Sequence, residues 1–203
     1  TLLDRAAGQK DQGKTVARAD DDLAAILYTS GTTGRSKGAM LTHKNLASNA
    51  QVLQKFWGWK KGDVLLHALP IFHVHGLFVA SHGALINGSK MIWLPRLDTK
   101  ELIKHMPRST VMMGVPTFYV RLLLDPNFNK AVTRNMRLFV SGSAPLLTET
   151  FNSFRERTGH TILERYGMSE TVMLVSNPYQ GERIGGSVGI PLPQTQVRVI
   201  KDD

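Results

Sequence analysis

The chain has 203 residues, no cysteine and a net charge of +9 at pH 7, from 25 basic and 16 acidic residues. That length can bury a sizeable core, and the lack of cysteine excludes both a disulfide framework and a thiolate metal centre. No apolar run approaches the roughly 20 residues that span a bilayer, the first residues lack the apolar stretch of a secretory signal, and the basic residues are scattered with no dense nucleic-acid-binding block.

Residues 1–22 are polar, contain glycine and end in DDD, so they read as a linker or irregular lead-in to a folded segment, 23–203. LAAILYT (23–29) is a short apolar run and predicts a buried strand. A helix follows with Thr42 as its N-cap, apolar residues at 46, 50, 53 and 56–57, and Gly58 closing it. From there strand and helix patterns alternate. Strands are predicted at 63–70, 90–95, 110–116, 136–141 and 160–167, and helices at 75–88, 98–106, 117–125 and 147–159. That alternation predicts an α/β fold with a mainly parallel sheet.

In such sheets ligands sit beyond the carboxyl ends of the strands. The segments there are SGTTGRSKG, PIFHVHG, GVPTFY, SGSAP and YGMSET, all rich in Gly, Pro, His or hydroxyl residues. The first joins small donors (Thr29, Ser30, Thr32, Thr33), two glycines (Gly31, Gly34) and one ammonium, Lys37, which suits phosphate oxygens. ERYGMSET sets Glu164 and Glu170 beside Tyr166, Ser169 and Thr171. A carboxylate placed near a triphosphate can hold Mg2+.

In this order and spacing, YTSGTTGRSKGAMLTH, LPIFHVHGL, SGSAPL and ERYGMSET resemble the acyl-adenylate-forming superfamily, which includes acyl-CoA synthetases, luciferases and peptide-synthetase adenylation domains. The likeness covers the chain from Asp22 onward, as a central part of the family's large N-terminal domain. It implies that Thr29, Ser30, Gly31, Thr32, Thr33, Gly34 and Lys37 grip the ATP phosphates. It also implies that Gly142, Ser143, Ala144 and Pro145 border the adenine, with Glu164, Tyr166, Gly167, Met168 and Ser169 completing the nucleotide site. Glu170 would bind Mg2+, Thr171 would close the same motif, and His73 would border the acyl pocket beside Ser141 and Gly142. Ser169 departs from the family's usual Thr, although either hydroxyl reaches a phosphate.

HALPIFHVHGLFVA, MGVPTFYVRLL and SNPYQGERIGGSVGIPLP are most similar to the malonyl-CoA synthetases of that superfamily. The resemblance implies two steps: malonate and ATP give an acyl-adenylate, and the thiol of coenzyme A then displaces AMP. Malonate keeps one free carboxylate, which demands a cation in the acyl pocket; Arg121 is expected there, assisted by His75. The family's ribose-binding Asp, hinge and small C-terminal domain with its catalytic lysine would follow residue 203, so the segment is not expected to complete the reaction alone. Two other readings are another acyl- or aryl-CoA ligase and a non-catalytic nucleotide-binding module. The expected partners are small molecules and the rest of the same protein, with no membrane and no nucleic acid, in the cytoplasm.

Overall fold

A computed structural model describes residues 2–9, 13–29 and 36–200. Within the lead-in, Leu2–Ala7 forms a short helix, α1, which was not expected from its composition. β1 (Leu23–Thr29) pairs antiparallel with β2 (Lys37–Thr42) in a two-stranded sheet of its own. This corrects the expectation of a buried strand: Ile26 and Tyr28 are exposed, and only alternate residues of β1 turn inward. β2 escaped notice because KGAMLT offers only a three-residue apolar run, Ala39 to Leu41, too short to announce a strand.

α2 (His43–Phe56) begins as its sequence dictates. Thr42 caps the amide of Asn45, Asn45 caps the amide of Thr42 in return, and Leu46, Ala50 and Leu53 face the core. The main sheet has seven strands in the order β4-β3-β5-β6-β7-β8-β9. They are β3 (Val64–His67), β4 (Lys90–Trp93), β5 (Val111–Gly114), β6 (Leu138–Ser141), β7 (Leu163–Met168), β8 (Val172–Ser176) and β9 (Ile190–Pro191). β4 through β7 are parallel; β8 and β9 add antiparallel at the edge. β8 and β9 were not foreseen, since β8 starts only a few residues after β7 ends.

Between β3 and β4 the chain forms a π-helical stretch, His75–Ser81, that runs into α3 (His82–Ile86). α4 (Thr99–His105), capped by Asp98, α5 (Pro116–Leu123) and α6 (Thr148–Thr158) follow in their predicted places. β5 and β6 are buried along their whole length, as expected of parallel strands covered on both faces. Trp57, Tyr119, Phe128, Phe139 and Phe154 are the largest fully buried side chains. Phe154 of α6 meets Tyr119, Phe128 and Phe139 at ring separations of 5.5, 5.6 and 4.9 Å, which fastens α5 and α6 over one face of the sheet.

Candidate active site

A cavity of about 540 Å3 opens beyond the carboxyl ends of β3, β5, β6 and β7. Leu69, Pro70, His73 and Val74 line it from the segment after β3, and His75 and Gly76 from the start of the π-helix. Val115 and Phe118 enter from the start of α5, and Ser143 from the turn after β6. Arg165, Gly167, Met168 and Ser169 come from β7 and its tip, with Met173 from β8. The walls are largely apolar, with a few polar groups converging, as in a typical small-molecule site.

The most consequential of these is Arg165, which was not among the expected site residues. Its side chain is 2% exposed, and neither Nε nor one terminal nitrogen has a hydrogen-bond partner. Burial lowers its guanidinium pKa to about 10, so it stays charged at neutral pH. Gly142 makes room for it, since a Cβ there would come within 2.4 Å of the guanidinium carbon. The period-two pattern of a strand offers no sign that a charged residue turns inward, so ERYG gave no warning.

Arg121 lies elsewhere. α5 buries Phe118, Tyr119 and Leu122, and the helical period leaves Arg121 on the exposed face, away from the cavity. The arginine that lines the cavity comes from β7, not α5. Tyr119, two residues earlier, is buried and donates through its hydroxyl to the carbonyl of Val140 at 2.5 Å.

His75 is 3% exposed and held neutral: burial, then the charges of Arg165, His67 and His73, push its pKa well below the usual range. Its Nδ1 lies 3.3 Å from the hydroxyl of Ser143, and its Nε2 is buried without a partner. Ser143 has φ +70°, a conformation that asparagine or glycine normally adopts. His67, at the end of β3, is buried against the ring of Trp93 at 4.5 Å, with both ring nitrogens unpartnered and its pKa lowered by burial to about 4.

The other expected residues spread around this centre. Ser141 is fully buried under the turn, with an unpartnered hydroxyl. Glu164, expected in the nucleotide site, is buried: its Oε1 accepts from the amide of Leu146 at 2.9 Å, and Oε2 has no partner. Burial raises its carboxyl above the ordinary value despite that bond. Glu164 therefore ties down the turn that carries Gly142, Ser143, Ala144 and Pro145, of which the last three are exposed. Tyr166 is exposed on β7. Glu170 and Thr171, at the β7–β8 tip, line a separate cavity of about 170 Å3 with Asn45, Ser48 and Asn49 of α2. Thr29 and Lys37 are directly paired at the open end of the β1–β2 ladder, where the Thr29 hydroxyl donates to the carbonyl of Lys37 at 3.5 Å. Ser30, Gly31, Thr32, Thr33 and Gly34 lie outside the described residues.

Among the described residues no three His, Asp or Glu side chains cluster as a metal cage. Glu170 alone is still a fit partner for Mg2+, which commonly takes one or two carboxylates and completes its shell with phosphate oxygens and water. No helix among the described residues is long and apolar enough to cross a membrane.

The family model for AMP-binding enzymes matches residues 2–203. A mitochondrial malonate–CoA ligase, ACSF3, from Mus musculus is 44% identical over 90% of this chain and 34% of its own length. A malonate–CoA ligase from Arabidopsis thaliana is 36% identical over 96% of the chain and 35% of its own length. The crystal structure of ATP-bound MatB from Rhodopseudomonas palustris superposes with a TM-score of 0.91 at 57% identity, covering 95% of this chain and 38% of that one. The chain thus spans about a third of the length of the curated relatives it matches. The mouse relative is mitochondrial by name, so the expected cytoplasmic location is not general among these relatives. The fold, the cavity beyond the parallel strands and the match over residues 2–203 lead to one conclusion: this chain belongs to the AMP-binding enzyme family.

Proposed function

We propose that the protein containing this chain activates malonate with ATP to malonyl-adenylate and passes the acyl group to coenzyme A. The observation that carries this reading is Arg165: a buried guanidinium with free donors, in a cavity otherwise lined mainly by apolar groups. A free carboxylate is the natural occupant, since a planar fork of donors matches its two oxygens. His75 and His67 are held neutral, so Arg165 is the one buried cation next to the cavity among the described residues. One cation fits an acid that keeps one negative charge after its other carboxylate has been activated. A plain fatty acid would leave the guanidinium buried and unpaired. Relatives named as malonate–CoA ligases support the same substrate.

In this reading Arg165 fixes the distal carboxylate and thereby aims the other carboxylate at the α-phosphorus of ATP. Attack there forms the acyl–phosphate bond and releases pyrophosphate. Lys37 and the hydroxyl-rich loop hold the departing phosphates, and Glu170 with Ser169 faces the nucleotide from the β7–β8 tip. Mg2+, when bound at Glu170, offsets the phosphate charge. Ser143 and the turn tied by Glu164 border the adenine, with Tyr166 against its face.

The test uses the full-length protein in malonate-dependent exchange between ATP and pyrophosphate. Arg165→Leu should lower kcat/KM for malonate by about a thousandfold, the loss expected when a buried charge pair is broken. Propionate should lose much less, and Arg121→Leu should leave both acids near their parent values. Equal losses for malonate and propionate in Arg165→Leu would refute the assignment.

A further inference from the structure

The β7–β8 tip is braced from outside the cavity by a side chain 124 residues away in sequence. Asn49, on α2, donates through Nδ2 to the carbonyl of Met173 at 2.8 Å and accepts from the amide of Met173 through Oδ1 at 3.3 Å. Its amide thus makes the two bonds to β8 that a neighbouring strand would make. Met173 also lines the large cavity, while Asn49 lines the smaller one together with Glu170 and Thr171.

The residue between Thr171 and Met173 is under strain. Val172 has φ +58° and is 1% exposed, a β-branched residue in the left-handed region where glycine or asparagine is usual. Such a conformation persists only where the surroundings over-determine it. Here they do so from two sides. The carbonyl of Val172 packs so closely on Gly167 that a Cβ there would lie 1.9 Å from it, and the next residue is clamped by Asn49. The amide of Thr171 donates to the carbonyl of Met168 at 3.3 Å, closing the turn that presents Ser169 and Glu170.

We propose that Asn49 is a positioning residue for nucleotide binding: by clamping Met173 it keeps Val172 in its strained conformation and so fixes the turn that aims Ser169 and Glu170 at the Mg·ATP phosphates. This rests on the assignment of Ser169 and Glu170 above. The distinguishing mark of such a role is a loss confined to Mg·ATP. Malonate, held by Arg165 on the preceding strand, should be unaffected.

The experiment compares Asn49→Ala and Asn49→Asp with Asn87→Ala in the full-length protein. Asn49→Asp keeps the shape and one acceptor but loses the donor, so it stands in should the alanine variant fail to fold. Asn87 also tethers backbone through its amide, to the carbonyl of Lys60 at 2.8 Å, but it caps α3 and meets α2 only at Gln54, near the end away from the β7–β8 tip. Both Asn49 variants should weaken Mg·ATP binding by calorimetry, and raise its KM, by about tenfold or more, as small misplacements of aligned groups do. The dissociation constant for malonate should stay within about twofold, and Asn87→Ala should lower the melting temperature with no change for Mg·ATP. Unchanged Mg·ATP binding, parallel losses for Mg·ATP and malonate, or an equal Mg·ATP loss in Asn87→Ala would each overturn the proposal. If the parent protein binds no malonate, the functional reading fails, while the Mg·ATP measurements still decide the role of Asn49.

Discussion

The two ends of the parallel sheet treat buried charge in opposite ways. At the amino ends of the strands, Asp63 just before β3 pairs with Arg137 just before β6, with Nε to Oδ1 at 2.8 Å and a second, close contact through a terminal nitrogen. The hydroxyl of Thr110 and the amide of Lys60 add bonds of 2.8 and 2.7 Å. Burial alone would raise the Asp63 carboxyl, but the bonds from Arg137, Lys60 and Thr110 together bring it below its usual value. Arg137 lies 5.1 Å over the ring of Tyr179, with Arg183 at 6.0 Å. At the carboxyl ends, by contrast, His67, His75, Ser141, Glu164 and Arg165 all keep buried polar atoms with no partner. A buried donor or acceptor left unpaired destabilises the fold. One end is therefore built for stability, and the other leaves polar groups unpaired at the expense of stability, two of them, His75 and Arg165, lining the cavity.

That contrast is tested most severely by removing one arginine from each end. Arg137→Met leaves Asp63 buried and unpaired and should cost about 3–5 kcal/mol, read from denaturant unfolding. Arg165→Met removes an ion that has no partner in the ligand-free fold and should instead stabilise by about 1–3 kcal/mol. If both variants were destabilised equally, the carboxyl end would be as well satisfied as the amino end and the comparison would fail.

A second test uses pH. His67 has a folded pKa of about 4 against 6.5 when unfolded, so the unfolded chain binds the extra proton first. Stability from this group is complete above pH 6.5 and is lost as pH falls toward 4, by up to about 3 kcal/mol. His67→Phe should flatten that part of the curve of stability against pH. Asp63 acts at lower pH: its contribution is present above the unfolded value of 3.8 and disappears as pH drops through its depressed folded value. An unaltered slope between pH 6.5 and 4 in His67→Phe would show that the orphaned imidazole is not the source.

The smallest expected effect lies away from both ends. Thr42→Ala removes one half of the α2 capping box and should cost about 1 kcal/mol with no change in either substrate constant. A shift in Mg·ATP binding would mean that the position of α2 is transmitted to the β7–β8 tip more loosely than the Asn49 clamp implies.

Most of the fold was legible because its signals are local. Thr42 and Asp98 announced helix starts, and Gly159, with φ +77°, marked the end of α6. The alternation of apolar runs with helical patterns gave the parallel sheet. What was missed depends on distant partners. β8 is a strand because β7 offers it an edge, β9 because β8 in turn offers one, and β1 is half exposed because among the described residues it pairs only with β2. The site divides in the same way. His73, His75, Ser143 and Ser169 were found at the cavity through their motifs. Arg165 was missed because an arginine in a strand usually faces solvent, and only the packing against Gly142 shows that this one does not. Arg121 was expected at the pocket because a free carboxylate demands a cation and because the resemblance placed it there, but the helical period of α5 leaves it on the exposed face.

The π-helical stretch His75–Ser81 has a consequence for insertions and deletions. Its wide turn accommodates one residue more than an α-helix of the same length would, and the hydroxyl of Ser81 reaches back five residues to the carbonyl of Gly76 at 2.9 Å. Deleting a single residue within 77–80 would let the segment relax to ordinary α-helix in continuity with α3. His75 would then turn by about 100° around the helix axis, away from Ser143 and the cavity. Chimeras joined within this segment must therefore preserve its residue count, even where the side chains can be exchanged freely.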